Sequence, residues 1–183
     1  MSESGGTAAK PIVEKMFSAN DETKLDEARA WLSARLDKGA ECPCCSQLAK
    51  IYRRPINSSM AYVLILIERR FREAQDWLHV PSYLNELGLE PKVAAAIRGD
   101  WAKLVHWGLL VEMPGERPDG STRVGFYKIT ESGIEFVRDN KRVPKYVYIY
   151  DGAVLPRECE EMVSIQDALA EKFDYSKLMG WRP

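Results

Sequence analysis

The chain has 183 residues, with 26 lysines and arginines against 27 aspartates and glutamates, and 45% of its residues are hydrophobic. That mixture fits a globular chain of one or two small domains and excludes a largely disordered or low-complexity polymer. A net charge of −1 lies far from the strongly basic signature of many nucleic-acid binders, so the distribution of charge matters more than its sum. Residues 41–150 carry 16 basic and 13 acidic side chains, whereas residues 151–183 carry 4 and 7. The longest apolar run, from Ala61 to Ile67, is too short to span a membrane, and the N-terminal MSESGGTAAK lacks the hydrophobic stretch of a signal peptide. A cytoplasmic protein with no membrane partner is therefore expected.

Residues 1–20, rich in Gly, Ser and Ala at their start, read as a flexible N-terminal arm. Residues 21–37 predict an amphipathic helix with Leu25, Ala28, Trp31, Leu32 and Leu36 on one face, and Gly39 ends it. A cysteine turn follows at residues 41–46 (ECPCCS). Asn57 or Ser58 then caps a helix over residues 59–73, whose apolar run is hydrophobic nearly all round and so belongs at the centre of the core.

Residues 77–80 predict a short strand, and Pro81 starts a helix over residues 81–87 at a position where its missing N–H costs nothing. Gly88 and Pro91 break the pattern, residues 91–98 are helical again, and Gly99 with Asp100 interrupts once more. Behind Asp100 as N-cap, Trp101, Leu104, Val105 and Leu109 recur at helical spacing, with Gly108 as the stop. Two assignments of a helix-turn-helix survive. Residues 81–87 pair with a bent helix over 91–107, or residues 91–98 pair with 100–107. The second has the cleaner cap, and the first gives a recognition helix of more usual length.

Residues 109–113 and 124–129 are short apolar or alternating runs, and PGERPDGS at 114–121 separates them with prolines and glycines. These are two strands and a loop. Thr130 caps a closing helix over residues 131–138, with Ile134 and Val137 inward and Gly133 weakening its first turn. A basic linker at 138–145 leads into the strand-like YVYIY of 146–150, a turn at Asp151-Gly152, and a last helix over 164–173. Ile165, Ala168, Leu169 and Phe173 point inward there, and Tyr175 and Trp181 form an aromatic end.

The expected fold class is therefore α+β and mainly helical. A flexible arm (1–20) precedes a helix plus cysteine turn (21–58), a winged helix-turn-helix domain (59–140) and a C-terminal strand and helix extension (141–183).

Cys42 and Cys45 have the C-x-x-C spacing at which two thiolates can hold one tetrahedral zinc, so a structural zinc knuckle is expected. Its other ligands would come from Cys44, Cys159, His79, His106 or a carboxylate, although Cys44 is awkwardly placed between the two thiolates. The competing expectation is a turn of reduced thiols with no metal. No glycine-rich phosphate loop, nucleophile elbow or H-E-x-x-H helix is present, and Glu160 with Glu161 reads as a solvated acidic patch. No catalytic residue is assigned, and the chain is not expected to be an enzyme.

DNA binding requires cations where phosphates lie. The candidates are Lys92, Arg98 and Lys103 on the helix-turn-helix, and Arg117 and Arg123 in and beside the wing, with Arg117 foremost. Arg53, Arg54, Arg69, Arg70 and Arg72 would thicken the positive field nearby.

The segment 59–138 resembles a winged-helix domain. WGLLVEMP followed by GFYKITESGIEF is similar to that superfamily's pattern of Gly-Leu, a wing, and Tyr-x-Ile-Thr-x-x-Gly. CPCCSQLAKIYRRPINSSM resembles small uncharacterised proteins of bacteriophages and bacteria that carry a CPxC turn, which implies a prokaryotic or viral origin and no defined activity. The winged-helix resemblance implies binding to double-stranded DNA and transcription regulation in a bacterial or phage-infected cell, as a homodimer or with a protein partner. The alternative expectation is a winged-helix protein-protein interaction module without DNA binding, using the acidic tail with its tyrosine and tryptophan.

Overall fold

The computed structural model describes residues 24–97, 99–115 and 125–180. The chain divides into two compact units, Met1–Tyr52 and Arg53–Pro183, of an α+β fold with small antiparallel sheets. The expected N-terminal arm lies outside the described residues.

In the first unit, helix α1 (Leu25–Ser33) is shorter than the expected 21–37. Its described part buries only Ala28, while Leu25 is 54% exposed, so little apolar area favours prolonging it. Arg35 secures the end: its guanidinium lies 4.4 Å from the centre of the Trp31 ring and donates to the Trp31 carbonyl at 3.1 Å. Gly39, at φ 86, then turns the chain into a hairpin of β1 (Ala40–Glu41) and β2 (Leu48–Ala49), with Ala40 opposite Ala49 and Glu41 opposite Leu48.

The second unit is built on α2 (Ser58–Ala74). Asn57 Oδ1 accepts from the Met60 amide at 3.0 Å and caps it, and Met60, Ala61 and every residue from Val63 to Ile67 are buried. A helix apolar on all sides needs neighbours on all sides. They are a 3-10 helix (Asp100–Trp107), β6 (Phe126–Ile129), α5 (Glu131–Val137) and α6 (Ile165–Leu169). Glu68, one turn past the apolar run, is also buried, at 1% exposure. Arg138 Nη2 donates to its Oε1 at 3.4 Å, and Arg72 Nε lies 3.0 Å from Oε2 without the alignment of a hydrogen bond. Two half-exposed guanidiniums thus offset the cost of a desolvated carboxylate.

Strand β4 (Leu78–His79) leads into α3 (Val80–Glu86), α4 (Pro91–Ala96), the 3-10 helix and β5 (Leu110–Glu112). These strands form one sheet in the order β4-β6-β5, with Leu78 opposite Tyr127 and Leu110 opposite Ile129. The segment 100–107 is wound more tightly than the expected α-helix. Gly99 (φ 76) and Gly108 (φ 67) bracket it in the left-handed region, and three residues per turn stack Trp101 over Leu104, both buried.

Gly133 proves to be a requirement rather than a weakness. A Cβ there would sit 2.3 Å from the Leu109 carbonyl oxygen and 2.7 Å from Ile129 Cγ1. Thr130 Oγ1 accepts from the Gly133 amide at 3.0 Å and donates to the Gly108 carbonyl at 2.6 Å, so one side chain caps α5 and ties it to the end of the 3-10 helix.

The expected linker at 138–145 holds β7 (Val143–Pro144), paired with β10 (Met162–Val163), and Val143 is in the core. The chain continues into β8 (Tyr146–Tyr150) and β9 (Ala153–Val154), a hairpin whose turn residues Asp151 (φ 48) and Gly152 (φ 74) both take the left-handed conformation such two-residue turns need. Strand β3 (Tyr52–Pro55), in which the second unit begins, completes a sheet of order β3-β8-β9. The expected last helix over 164–173 is split into α6 and a 3-10 turn (Ala170–Lys172), and a further helix, α7 (Tyr175–Gly180), follows where only an aromatic end was expected. Ile165, Ala168 and Leu169 join the α2 core, and Phe173 stacks on Tyr62 at 4.6 Å. Among the described residues, no helix is long and apolar enough to cross a membrane.

Candidate nucleic-acid interface

His79 ends β4 and starts α3. Its Nδ1 accepts from the Ser82 amide at 3.4 Å and shares a 2.7 Å hydrogen bond with Ser82 Oγ, while its ring tilts on Phe126 at 4.8 Å. Gly125 lies so close that a Cβ would stand 2.8 Å from Nε2. The imidazole therefore works as a helix cap packed on the sheet.

Helix α4 has no buried residue of its own. Pro91, Lys92, Ala95 and Ala96 are exposed, Val93 rests on the core, and Ile97 just beyond the helix is buried as an anchor. Apart from Lys92, the outward side chains are short, so another surface can approach the helix closely. The run Ala94-Ala95-Ala96 beside Lys92 was the signal for this open face, and the sequence reading did not use it.

The 3-10 helix is embedded instead. Trp101 meets Tyr127 edge-on at 5.0 Å, Leu104 is fully buried, and Trp107 Nε1 donates to the Pro144 carbonyl at 2.7 Å. Neither assignment left open stands as expected: the helix over 91–107 is not continuous, because α4 ends at Ala96 and the 3-10 helix is separate from it, and 100–107, the second helix of the other pairing, belongs to the core, which leaves α4 as the exposed element. Lys103 sits on the outer side of the 3-10 helix in an ion pair with Asp100, which answers much of its charge. Burial, and then the Lys103 charge, push the His106 pKa below the ordinary imidazole value.

The β5–β6 ribbon extends one step past its strands, where the Met113 amide donates to the Phe126 carbonyl at 2.9 Å. At its base Tyr127 donates to Glu112 at 3.4 Å, and burial, followed by the Glu112 charge, raises the tyrosine pKa. Arg98, Arg117 and Arg123 lie outside the described residues. Among the arginines expected to thicken the field, Arg70 pairs with Glu73 at 3.3 Å, Arg72 with Glu68, and Arg53 lies over the Tyr146 ring at 4.2 Å. Glu86 and Glu90 are exposed at either side of the α3–α4 turn. At the other end of the unit, Tyr175 is not a free tail aromatic: its hydroxyl donates to the Val137 carbonyl at 3.0 Å and its ring packs on the core.

The cysteine turn is an ordered hairpin tip. The Cys42 amide donates to the Gln47 carbonyl at 2.8 Å, the Ser46 amide donates back to the Cys42 carbonyl at 2.9 Å, and Ser46 takes φ 58. The Cys44 amide and then the Cys45 amide donate to Cys42 Sγ, and with the Cys45 thiol they hold the Cys42 pKa below the ordinary thiol value. Among the described residues, no three Cys, His, Asp or Glu side chains form a group that could hold a metal. Set against known proteins, the chain is matched by no family model, no curated protein and no solved structure.

Proposed function

We propose that the second unit carries a winged helix-turn-helix that binds double-stranded DNA, with α3 and α4 as the helix pair and the loop between β5 and β6 as the wing. The observation that carries this reading is the sheet order β4-β6-β5. It closes the β5–β6 ribbon onto the strand before α3 and leaves the helix pair as an excursion between β4 and β5. Exposed, short-sided α4 then serves as the recognition helix, with Lys92 on it, and Arg117 and Arg123 in the wing region supply further cations for phosphate. Transcription regulation in a bacterial or phage-infected cell is the role that fits such a domain. The rival reading, a protein-interaction module, loses one support because Tyr175 packs inward.

Fluorescence anisotropy of a labelled duplex titrated with the full chain at several salt concentrations tests the proposal. Affinity should fall with salt, log K against log[salt] having a slope of about −0.9 for each phosphate neutralised. Absent or salt-independent binding overturns it.

A further inference from the structure

Strand β8 carries tyrosines on one side. Successive side chains of a strand point to opposite faces, so Tyr146, Tyr148 and Tyr150 share a face and the buried Val147 points the other way. Cations from β3 and from both flanks of the β8–β9 hairpin converge on the tyrosine face. The Arg53 guanidinium lies 4.2 Å from the centre of the Tyr146 ring, the Lys145 ammonium 5.5 Å from the same ring, and the Arg157 guanidinium 5.4 Å from the centre of the Tyr148 ring. Lys145 is answered by Glu161 at 2.6 Å, whereas Arg53 and Arg157 are exposed.

A guanidinium held over an aromatic ring keeps its N–H edges for phosphate oxygens and offers its flat side to a further ring, so tyrosine and arginine together make a stacking platform. The spacing of the platform suits one form of nucleic acid. Alternate residues of a strand stand about 6.8 Å apart, and the bases of a duplex strand follow one another at about 3.4 Å. Neighbouring tyrosines of this face can therefore take successive bases only from a strand whose own stack has been opened, which is the single-stranded form.

We propose that the tyrosine face of the β3-β8-β9 sheet binds single-stranded DNA, with bases stacked on Tyr146, Tyr148 and the guanidiniums above them, and with phosphates met by Arg53 and Arg157. Contacts to ring faces and phosphates do not read base edges, so the site accepts any sequence. The choice of DNA over RNA rests on the reading of α4 and the wing as a duplex-DNA contact. The stacking site itself holds or fails without that reading.

Fluorescence anisotropy of a labelled oligothymidylate of about twelve nucleotides, titrated with the full chain, tests it. Binding should weaken as salt rises. An abasic oligomer of the same length and charge should bind about tenfold more weakly, a readout independent of how any variant folds. Tyr148→Ala should cost about tenfold, and Tyr148→Phe, which keeps the ring, should bind as the parent does. Arg53→Gln should weaken binding severalfold, whereas Lys177→Ala, which removes an exposed cation on α7, should leave it unchanged. No binding of the oligothymidylate, equal affinity for the abasic oligomer, or tighter binding of an oligouridylate overturns the proposal. So does a light-scattering dimer that Tyr148→Ala turns into a monomer, which would give the face to a second copy. Absent duplex binding with oligothymidylate binding intact overturns the winged-helix reading and leaves this site standing.

Discussion

The α2 core and the cysteine hairpin are ordered by different means. Around α2, apolar side chains from the 3-10 helix, β6, α5 and α6 converge, and backbone geometry follows from packing. The hairpin has no buried residue in its strands or tip, and its shape comes from a few backbone hydrogen bonds and the Cys42 sulfur. An element fixed by burial carries its own stabilisation, whereas an element fixed by local hydrogen bonds alone gains little net free energy from them.

The strongest blow to the packed region is Gly133→Ala. The new Cβ would meet a backbone carbonyl at 2.3 Å, so α5 and the chain at Leu109 must separate. A loss of about 3 kcal/mol in urea unfolding is expected. A loss under about 0.5 kcal/mol, the usual range for surface substitutions, would mean that the approach of α5 to Leu109 is not tight.

Much of this packed region was legible because it rests on short-range rules. The run from Ala61 to Ile67 marked the central helix, and Asn57 and Thr130 marked two caps. Three features escaped, two of them because their cause lies far along the chain. The tight winding of 100–107 follows from two left-handed glycines and from the burial of Trp101 over Leu104. Residues 143–144 look like a linker until Met162 and Val163 pair with them. Glu68 looks like a surface residue until Arg138, seventy positions later, comes to it. Of the candidate interface, Lys92 could be read as an exposed helical cation, and the pairing of Lys103, Arg70 and Arg72 with carboxylates three or four positions away was also open to a reading of helical spacing.

A smaller effect is expected at the rim of the packed region. Asp167 completes a capping box with Ser164 at the start of α6. Its pKa is lowered first by the Ser164 amide, then by the Ser164 hydroxyl, with Arg142 adding to both. A depressed carboxylate pKa stabilises the fold above the unfolded value of about 3.9, and that contribution is lost as pH falls from there through the folded value. Asp167→Asn should therefore cost about 1 kcal/mol or less at pH 7, since the group is half-exposed and screened. The gap between the two proteins in urea unfolding should close below about pH 3.9. A gap constant from pH 7 to pH 3 would assign the effect to packing instead.

The smallest expected effect on stability bears most directly on function. Lys92→Ala and Lys103→Ala both remove one cation, but Lys92 stands on the open face of α4 and Lys103 is tied to Asp100 beside the core. Duplex affinity measured across a salt series for both variants, at unchanged unfolding free energy, compares the two. Lys92→Ala should weaken binding severalfold and reduce the salt slope by about 1, with Lys103→Ala close to the parent. The reverse order, or two variants that bind as the parent does, would contradict α4 as the element that meets DNA.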